Sequence, residues 1–259
     1  MPQPTKAEKA LQIKHDRLML AIEAPYARAI IREKNRYISR VAEAYALDGT
    51  LPEALTFEHR QKMFDISSRY NKRTIRVFAT DVYNTTIKNH LPNYEKKNEA
   101  FDKWLATIIA QWIANETAVA AVVTANTTRN DIRAAIQASV REGETNPQVV
   151  KKILKVKGFS AFRAVAIART ETHNAAMYAN KESGKRLERD TGEQLNKVWI
   201  PVQDSRTRDS HSAMVNHSAI ILDGLFTVNG DRMDRPGDPR GSARNVINCR
   251  CTLAYRVEE

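Results

Sequence analysis

The chain has 259 residues, 42% of them hydrophobic, which is enough for one large core or two ordinary ones. It has no continuous apolar run of about 18 residues, and its first residues lack the apolar region of a secretory signal, so the sequence predicts neither a membrane span nor export. The net charge is +11, and residues 1–196 carry +10 of it. Such an excess favours non-specific contact with a polyanion such as double-stranded DNA, and it is equally typical of a solvated surface.

Apolar residues recur at helical spacing through the first two thirds of the chain. A helix is predicted on each side of Pro25, where a helix restarts or kinks. Thr50 and Glu53 have the spacing of a capping box and predict the start of the next helix. A third helix is expected to begin near Tyr94. It carries an apolar stripe that is typical of a core face: Phe101, Trp104, Leu105, Ile108, Trp112 and Ile113.

The following segment predicts two short helices and then a longer one. Thr128 to Asp131 resembles a helix cap, and Pro147 is placed at the start of another helix that Gly158 is expected to end. Ser160 then predicts the cap of a longer helix that ends at Gly192.

The last predicted helix carries Arg169, Glu171 and His173. At helical spacing Arg169 and His173 share one face, and Glu171 points roughly the opposite way. Their chemistry favours a set of surface ion pairs. The alternative is that Arg169 and Glu171 anchor the helix to the C-terminal segment through charge-assisted hydrogen bonds.

Short strands and turns are predicted after Gly192. Val198–Val202 has the composition of a strand, with Pro201 indicating an edge or a strand end. Val228–Asp231 predicts a hairpin turn, and Val246–Val257 predicts the final strand. The fold class is therefore α+β. We expect a long helical arm, residues 1–127, followed by a module, residues 128–259, of helices packed on a short antiparallel sheet.

The two cysteines, Cys249 and Cys251, are too close in sequence to pair without severe strain, so they are free thiols or metal ligands. In a strand both would project to one face. Together with His211 and His217 they would form a Cys2His2 set suited to zinc. The alternative is a pair of reduced, buried cysteines without a metal.

Several short motifs of this chain resemble those of one protein family, and they occur in the family's order. They are I-A-R-T-E-T (Ile167–Thr172), W-I-P-V-Q-D-S-R-T-R-D-S-H (Trp199–His211), D-G (Asp223–Gly224), P-G-D-P (Pro236–Pro239) and I-N-C-R-C (Ile247–Cys251). Over residues 128–256 the chain resembles the phage Mu F-like head morphogenesis family, the minor head proteins of tailed bacteriophages. His217 lies outside the motif.

The resemblance implies a minor capsid protein inside the virion, present in few copies near the portal, and found in the host cytoplasm during assembly. The implied partners are the portal protein and a major capsid or scaffolding protein, and the implied roles are head assembly, genome packaging and DNA ejection. No enzymatic activity is implied. Besides His211 and the cysteines, the motifs give weight to a structural polar cluster: Arg169, Glu171, Asp204, Arg206 and Asn248.

The competing hypothesis is a metal-dependent nuclease or other hydrolase carried in the virion, because Arg, Glu, His and Cys can together support such chemistry. The sequence shows no Ser-His-Asp pattern, no phosphate-binding Gly loop and no H-E-x-x-H motif. A third hypothesis, a DNA-binding protein, lacks a recognisable base-reading helix, so any DNA contact is expected to involve phosphates.

Overall fold

The computed structural model describes residues 4–90 and 98–257. Long helices form most of this part of the chain: α1 (Lys6–Asp48), α2 (Glu53–His90), α3 (Asn98–Trp112), α4 (Ala118–Arg141) and α5 (Asn146–Thr191). A single π-helical turn, Ile113–Thr117, joins α3 to α4. The predicted helix start near Tyr94 lies outside the described residues.

Several predicted helix boundaries are wrong, because the helices are longer than their sequence signals indicate. Pro25 lies inside α1, which does not restart there. Gly158 lies inside α5, so the break predicted before Ser160 does not occur. A glycine costs a helix only about 1 kcal/mol, and Ile153 and Ala164 on its two sides are fully buried. Packing on both sides therefore outweighs the local preference.

The hydroxyl groups of two predicted helix caps donate hydrogen bonds to other acceptors. Thr128 lies within α4, where its hydroxyl donates to the Thr124 carbonyl at 3.3 Å. The hydroxyl of Thr50 donates to Asp48 Oδ1 at 2.7 Å, in the turn between α1 and α2. Side-chain hydroxyls that satisfy backbone or side-chain acceptors locally do not always mark a helix start.

The main sheet has three antiparallel strands in the order β2-β1-β5, and these are β1 (Leu195–Ile200), β2 (Ile220–Ile221) and β5 (Thr252–Val257). Strand β1 is central, and it pairs with β5 over its whole length, from Leu195 opposite Val257 to Ile200 opposite Thr252. Pro201 follows directly after β1, so it ends a central strand, as one of the two predicted alternatives had it.

A separate hairpin pairs β3 (Phe226–Val228) with β4 (Asp231–Met233). Its two turn residues, Asn229 and Gly230, have positive φ angles of 48° and 85°, which is the conformation that a two-residue type I′ turn requires. The predicted turn is confirmed. The long helices with two small antiparallel sheets confirm the predicted α+β class.

The chain forms two compact units. Unit 1 combines the residues up to Ile22 with Asn71–Gln111 and Arg169–Glu259, and unit 2 combines Glu23–Tyr70 with Trp112–Ala168. The expected boundary between residues 127 and 128 lies inside α4. Each unit draws segments from both sides of that boundary, and the division into an arm, residues 1–127, and a module, residues 128–259, stays a prediction.

The core of unit 2 includes a group of small residues from two helices. Ala121 and Ala125 of α4 pack with Ala164 and Ala168 of α5, and all four are buried. Alanines let two helices approach closely. The core of unit 1 forms around Trp199 of β1.

The helical stretch Glu99–Arg141 contains an 18-residue window whose length and composition would suffice to cross a membrane. The sequence has no uninterrupted apolar run there because Glu116 and other polar residues divide it. Ile108 and Ile109 of this stretch are buried in unit 1, and Ala121 is buried in unit 2. Core packing accounts for these three residues, but only 28% of the window is buried, and Val119, Val122 and Val123 are exposed.

Candidate metal centre

Three buried side chains of unit 1 form a thiol–imidazole trio: His211, Cys249 and Cys251. His211 lies in α6 (Asp209–Ser212), and the cysteines lie between α7 (Ala243–Val246) and β5. His211 Nδ1 is 3.6 Å from Cys249 Sγ and 3.4 Å from Cys251 Sγ. The three ligand atoms all lie within 4.8 Å of one another. The trio thus offers two sulfurs and one nitrogen to a common point.

The two cysteines differ in the direction of their pKa shifts. Burial raises the pKa of the Cys249 thiol, but the hydrogen bond with Cys251 and the neighbouring imidazoles of His173 and His211 outweigh it, so the pKa lies well below its usual range. Burial and the adjacent Cys249 raise the pKa of Cys251 well above that range. Cys249 therefore releases its proton more readily than Cys251.

A turn, rather than a strand, carries the two cysteines. Asn248 has a φ of 57°, a left-handed conformation that asparagine tolerates better than most residues. Its amide donates to Thr170 Oγ1 at 3.3 Å, and the Cys249 amide donates to the Val246 carbonyl at 3.3 Å. The predicted strand Val246–Val257 is therefore wrong in its first half, since β5 begins at Thr252.

Helix α5 holds β5 along its length and thereby fixes the position of Cys251. His173 Nε2 donates to the Cys251 carbonyl at 2.8 Å, and Asn180 Nδ2 donates to the Leu253 carbonyl at 3.1 Å. The Tyr255 hydroxyl donates to the Asn180 carbonyl at 2.9 Å. The sequence reasoning missed these contacts, because a helical periodicity does not reveal which side chain meets a strand carbonyl.

Gly237 of the P-G-D-P motif packs directly against α5. Its φ is 69°, and a Cβ at this position would lie 2.6 Å from His173 Nδ1 and 2.5 Å from the side-chain amide of Asn174. Real Cβ atoms do not approach other atoms so closely. Both the backbone conformation and the space therefore require glycine here.

The rest of this loop is a network of charges. Asp238 accepts hydrogen bonds from the amides of Asp234 at 2.8 Å and Arg240 at 3.1 Å, and it pairs with the Arg240 guanidinium at 2.6 Å. Asp234 pairs with Lys181, and its carbonyl accepts from Lys197 Nζ at 2.6 Å. Burial lowers the pKa of Lys197 to about 8, although the charge of Asp234 opposes this. These charged groups satisfy one another and shape the loop.

Asp204 lies in the segment after β1, and its main partner is Arg250. The guanidinium donates to the two carboxylate oxygens at 2.7 and 2.6 Å. Asp204 also accepts from the Arg206 amide at 3.0 Å, whereas the Arg206 guanidinium lies 3.4 Å away. The hydrogen bond from Arg250 holds the pKa of Asp204 well below its usual range. No pattern in the sequence indicates Arg250 as this partner.

The structure does not bring His217 to the trio. Its Nδ1 faces the Ser218 carbonyl at 3.0 Å, and its ring meets Phe226 edge-on. The predicted fourth ligand is therefore corrected: His217 follows the turn after α6 and points elsewhere. Arg169 and Glu171 are half-buried on α5, on either side of Thr170, and their anchoring role stays a prediction.

A small cavity of about 10 Å³ borders the trio. It is lined by Val202, Arg206, Thr207, Arg208, His211, Asn248, Arg250 and Cys251. This volume is close to the minimum for one water molecule, and it is far below the volume of a pocket for an organic ligand. The trio and the cavity could accordingly hold one metal ion with a water, but no peptide or nucleotide.

The comparison with known families covers the residues of this site. Residues 130–254 match the family model described as Phage Mu protein F like protein. No curated protein and no solved structure matches the chain. The matched region contains the trio, the Asp204–Arg250 pair and the Gly237 loop. Over these residues, just under half of the chain, the protein is similar to the phage Mu F-like family of head morphogenesis proteins.

Proposed function

We propose that this protein is a minor capsid protein of a tailed phage that binds the portal on the inside of the head. There it acts in procapsid assembly and in genome packaging or delivery, after synthesis in the host cytoplasm. The observation that carries the proposal is the family match over residues 130–254. The motifs behind this match stand at positions that the fold itself needs, including Gly237, Asp204 and Cys251.

The geometry of the site supports a structural role over the hydrolase alternative. His211, Cys249 and Cys251 are only 1%, 1% and 2% exposed, so a macromolecular substrate has no access to them. The adjoining cavity holds no more than about one water molecule. A nuclease or peptidase needs an open cleft in which its substrate can reach the reacting group.

Binding to the portal requires a surface for another protein, and α4 offers one. Val119, Val122 and Val123 are 61%, 45% and 59% exposed, and their spacing places them on one face of the helix. Neighbouring exposed apolar side chains favour protein–protein contact. We assign this valine face to the portal, and a major capsid or scaffolding protein is the second implied partner.

Packaged DNA is a further proposed contact. Residues 1–196 carry a net charge of +10, and the sequence has no base-reading motif. Contacts of this kind involve phosphates, do not depend on DNA sequence and weaken as salt rises.

The proposed function is tested by placing a stop codon early in this reading frame of the phage. We expect loss of infectious particles, with heads that are aberrant or lack DNA, and restoration by the full chain supplied in trans. At a permissive temperature, a Cys249→Ser/Cys251→Ser chain that still accumulates should restore the phage titre, because the cysteines contribute only to the stability of the fold. Normal titre and normal filled heads without the protein would contradict the proposal.

A further inference from the structure

We propose that the thiol–imidazole trio is a structural zinc site, in which His211 Nδ1, Cys249 Sγ and Cys251 Sγ are the protein ligands and a water completes the tetrahedron. The inference concerns the folding of the module. It stands whether or not the protein binds the portal.

The distances between the ligand atoms fit a tetrahedral zinc ion. Zinc lies about 2.3 Å from a cysteine sulfur and about 2.0 Å from a histidine nitrogen. The edge of a tetrahedron with these two radii is about 3.5 Å. The Nδ1–Sγ distances are 3.6 Å for Cys249 and 3.4 Å for Cys251. Both nitrogen–sulfur distances therefore already match those around a bound zinc, and the three ligand atoms lie within 4.8 Å of one another.

A metal-free hydrogen-bonded cluster explains the arrangement less well. The same distances allow an S–H···N hydrogen bond, but an imidazole nitrogen has either one hydrogen or one lone pair and can serve only one sulfur well. Here a single Nδ1 faces both Cys249 and Cys251. One cation at the centre satisfies all three atoms at once. Two thiolates with an imidazole also select zinc over magnesium or calcium, which prefer oxygen.

The fourth position has a place in the structure. The cavity of about 10 Å³ is bordered by both His211 and Cys251, and it has room for about one water molecule. No other Cys, His, Asp or Glu lines it. Three protein ligands and a water also occur in catalytic zinc sites, but a cavity of this size leaves a substrate no room beside the metal.

Neighbouring groups hold the ligands in this arrangement. His173 Nε2 donates to the Cys251 carbonyl at 2.8 Å, and the Trp199 ring meets the His211 ring edge-on with centroids 5.7 Å apart. Zinc binding would join α6 to the turn before β5, and each thiol that becomes a ligand releases its proton to solvent. The metal would thus cross-link two segments of a region whose sheets are short.

The test is the metal content of the full-length protein purified from zinc-supplemented medium. We expect about one zinc per chain after gel filtration, a lower melting temperature after chelation, and recovery when zinc is returned. Cobalt in place of zinc should give thiolate-to-cobalt charge-transfer bands. His211→Ala and Cys251→Ser should lose the metal, whereas the matched control His217→Gln should keep it.

If a ligand variant fails to fold, titration of the chelated wild-type protein with cobalt and zinc still tests the proposal. A wild-type protein that is metal-free from this medium, and whose melting temperature and spectrum do not respond to zinc or cobalt, would overturn the proposal. Loss of zinc from His217→Gln would also overturn it, because the ligand set would then be a different one.

Discussion

Arg250 donates two hydrogen bonds to the carboxylate of Asp204, and this pair joins the segment after β1 to the turn that carries the cysteines. A guanidinium that meets a carboxylate with two parallel bonds combines charge with fixed geometry. Only 16% of the Arg250 side chain is exposed, compared with 75% of the Arg206 side chain. The two arginines lie beside the same carboxylate, but they contribute unequally to the stability of the fold.

This difference predicts unequal effects of two similar substitutions. Arg250→Gln should lower the melting temperature by several degrees, because it removes both bonds to Asp204 and leaves the carboxylate without its main partner. Arg206→Gln should leave the melting temperature nearly unchanged, since its guanidinium is exposed and 3.4 Å from the carboxylate. Thermal unfolding of the two variants at neutral pH measures the difference.

The same pair sets a pH dependence. The pKa of Asp204 is depressed in the folded protein by Arg250, so its stabilising effect is complete above the unfolded pKa of about 3.9 and is lost as the pH falls further. The gap between wild type and Arg250→Gln should therefore be constant from neutral pH to about pH 5 and shrink below about pH 4. Equal melting temperatures of Arg250→Gln and Arg206→Gln at neutral pH would contradict this assignment.

Residue chemistry singled out four possible metal ligands, and the structure brings three of them together: Cys249, Cys251 and His211. Their role as metal ligands stays a prediction. The partner of Asp204 was not predictable, since Arg206 and Arg250 are equally suited by type and only the turn at Asn248 decides between them. His217 was expected to join the ligand set for the same reason. The type of a side chain does not reveal which way the backbone runs after α6.

At the scale of elements, α1 is fixed to the C-terminal strand by a buried histidine. His15 is fully buried, its Nδ1 lies 2.8 Å from Thr252 Oγ1, and its Nε2 lies 3.4 Å from Asp81 Oδ2 of α2. Arg256 also pairs with Glu8 at 2.8 Å. The first helix of the chain is therefore part of the same packed unit as β5.

His15 predicts a loss of stability in mild acid. Burial lowers its pKa, although Asp81 opposes this, so below the unfolded pKa of about 6.5 the unfolded chain binds a proton that the folded chain does not. The free energy of unfolding should fall as the pH drops from about 6.5 towards the folded pKa. Denaturant unfolding between pH 7.5 and 5 should show this slope, flattened in His15→Gln.

Thr252→Val is the matched control for His15→Gln. It removes the hydrogen-bond partner of Nδ1 without removing the titrating group, so it should lower stability at every pH and keep the slope. A His15→Gln protein with the full wild-type slope would show that other groups cause the acid sensitivity.

Strong local signals predicted elements well, and weak ones did not. Asn229-Gly230 fixed the hairpin turn because few residues adopt its positive φ angles. Gly192 ended α5 as predicted, with a φ of 75°. Gly158 did not end a helix, because the burial of the residues on both sides of it favours continuation. Element existence followed from the sequence, whereas element length followed from tertiary packing.

At the scale of the whole molecule, the two compact units do not follow the order of the chain. Unit 1 contains both the start of α1 and the strand β5, and long helices supply residues to both units. The sequence could not predict this, because hydrophobic periodicity shows which face of a helix is buried and not which partner buries it. Residues 130–254 nevertheless match the phage Mu F-like family of head morphogenesis proteins.

The central claim, a place at the portal inside the head, is tested most directly by chemical cross-linking and mass spectrometry of purified phage heads. We predict cross-links between this chain and the portal protein in wild-type heads. These should disappear in Val122→Asp/Val123→Asp and persist in Gln137→Asp, which places a charge at an exposed polar position of the same helix. Heads that contain the protein but give no portal cross-links, or a valine variant that cross-links like wild type, would contradict the account.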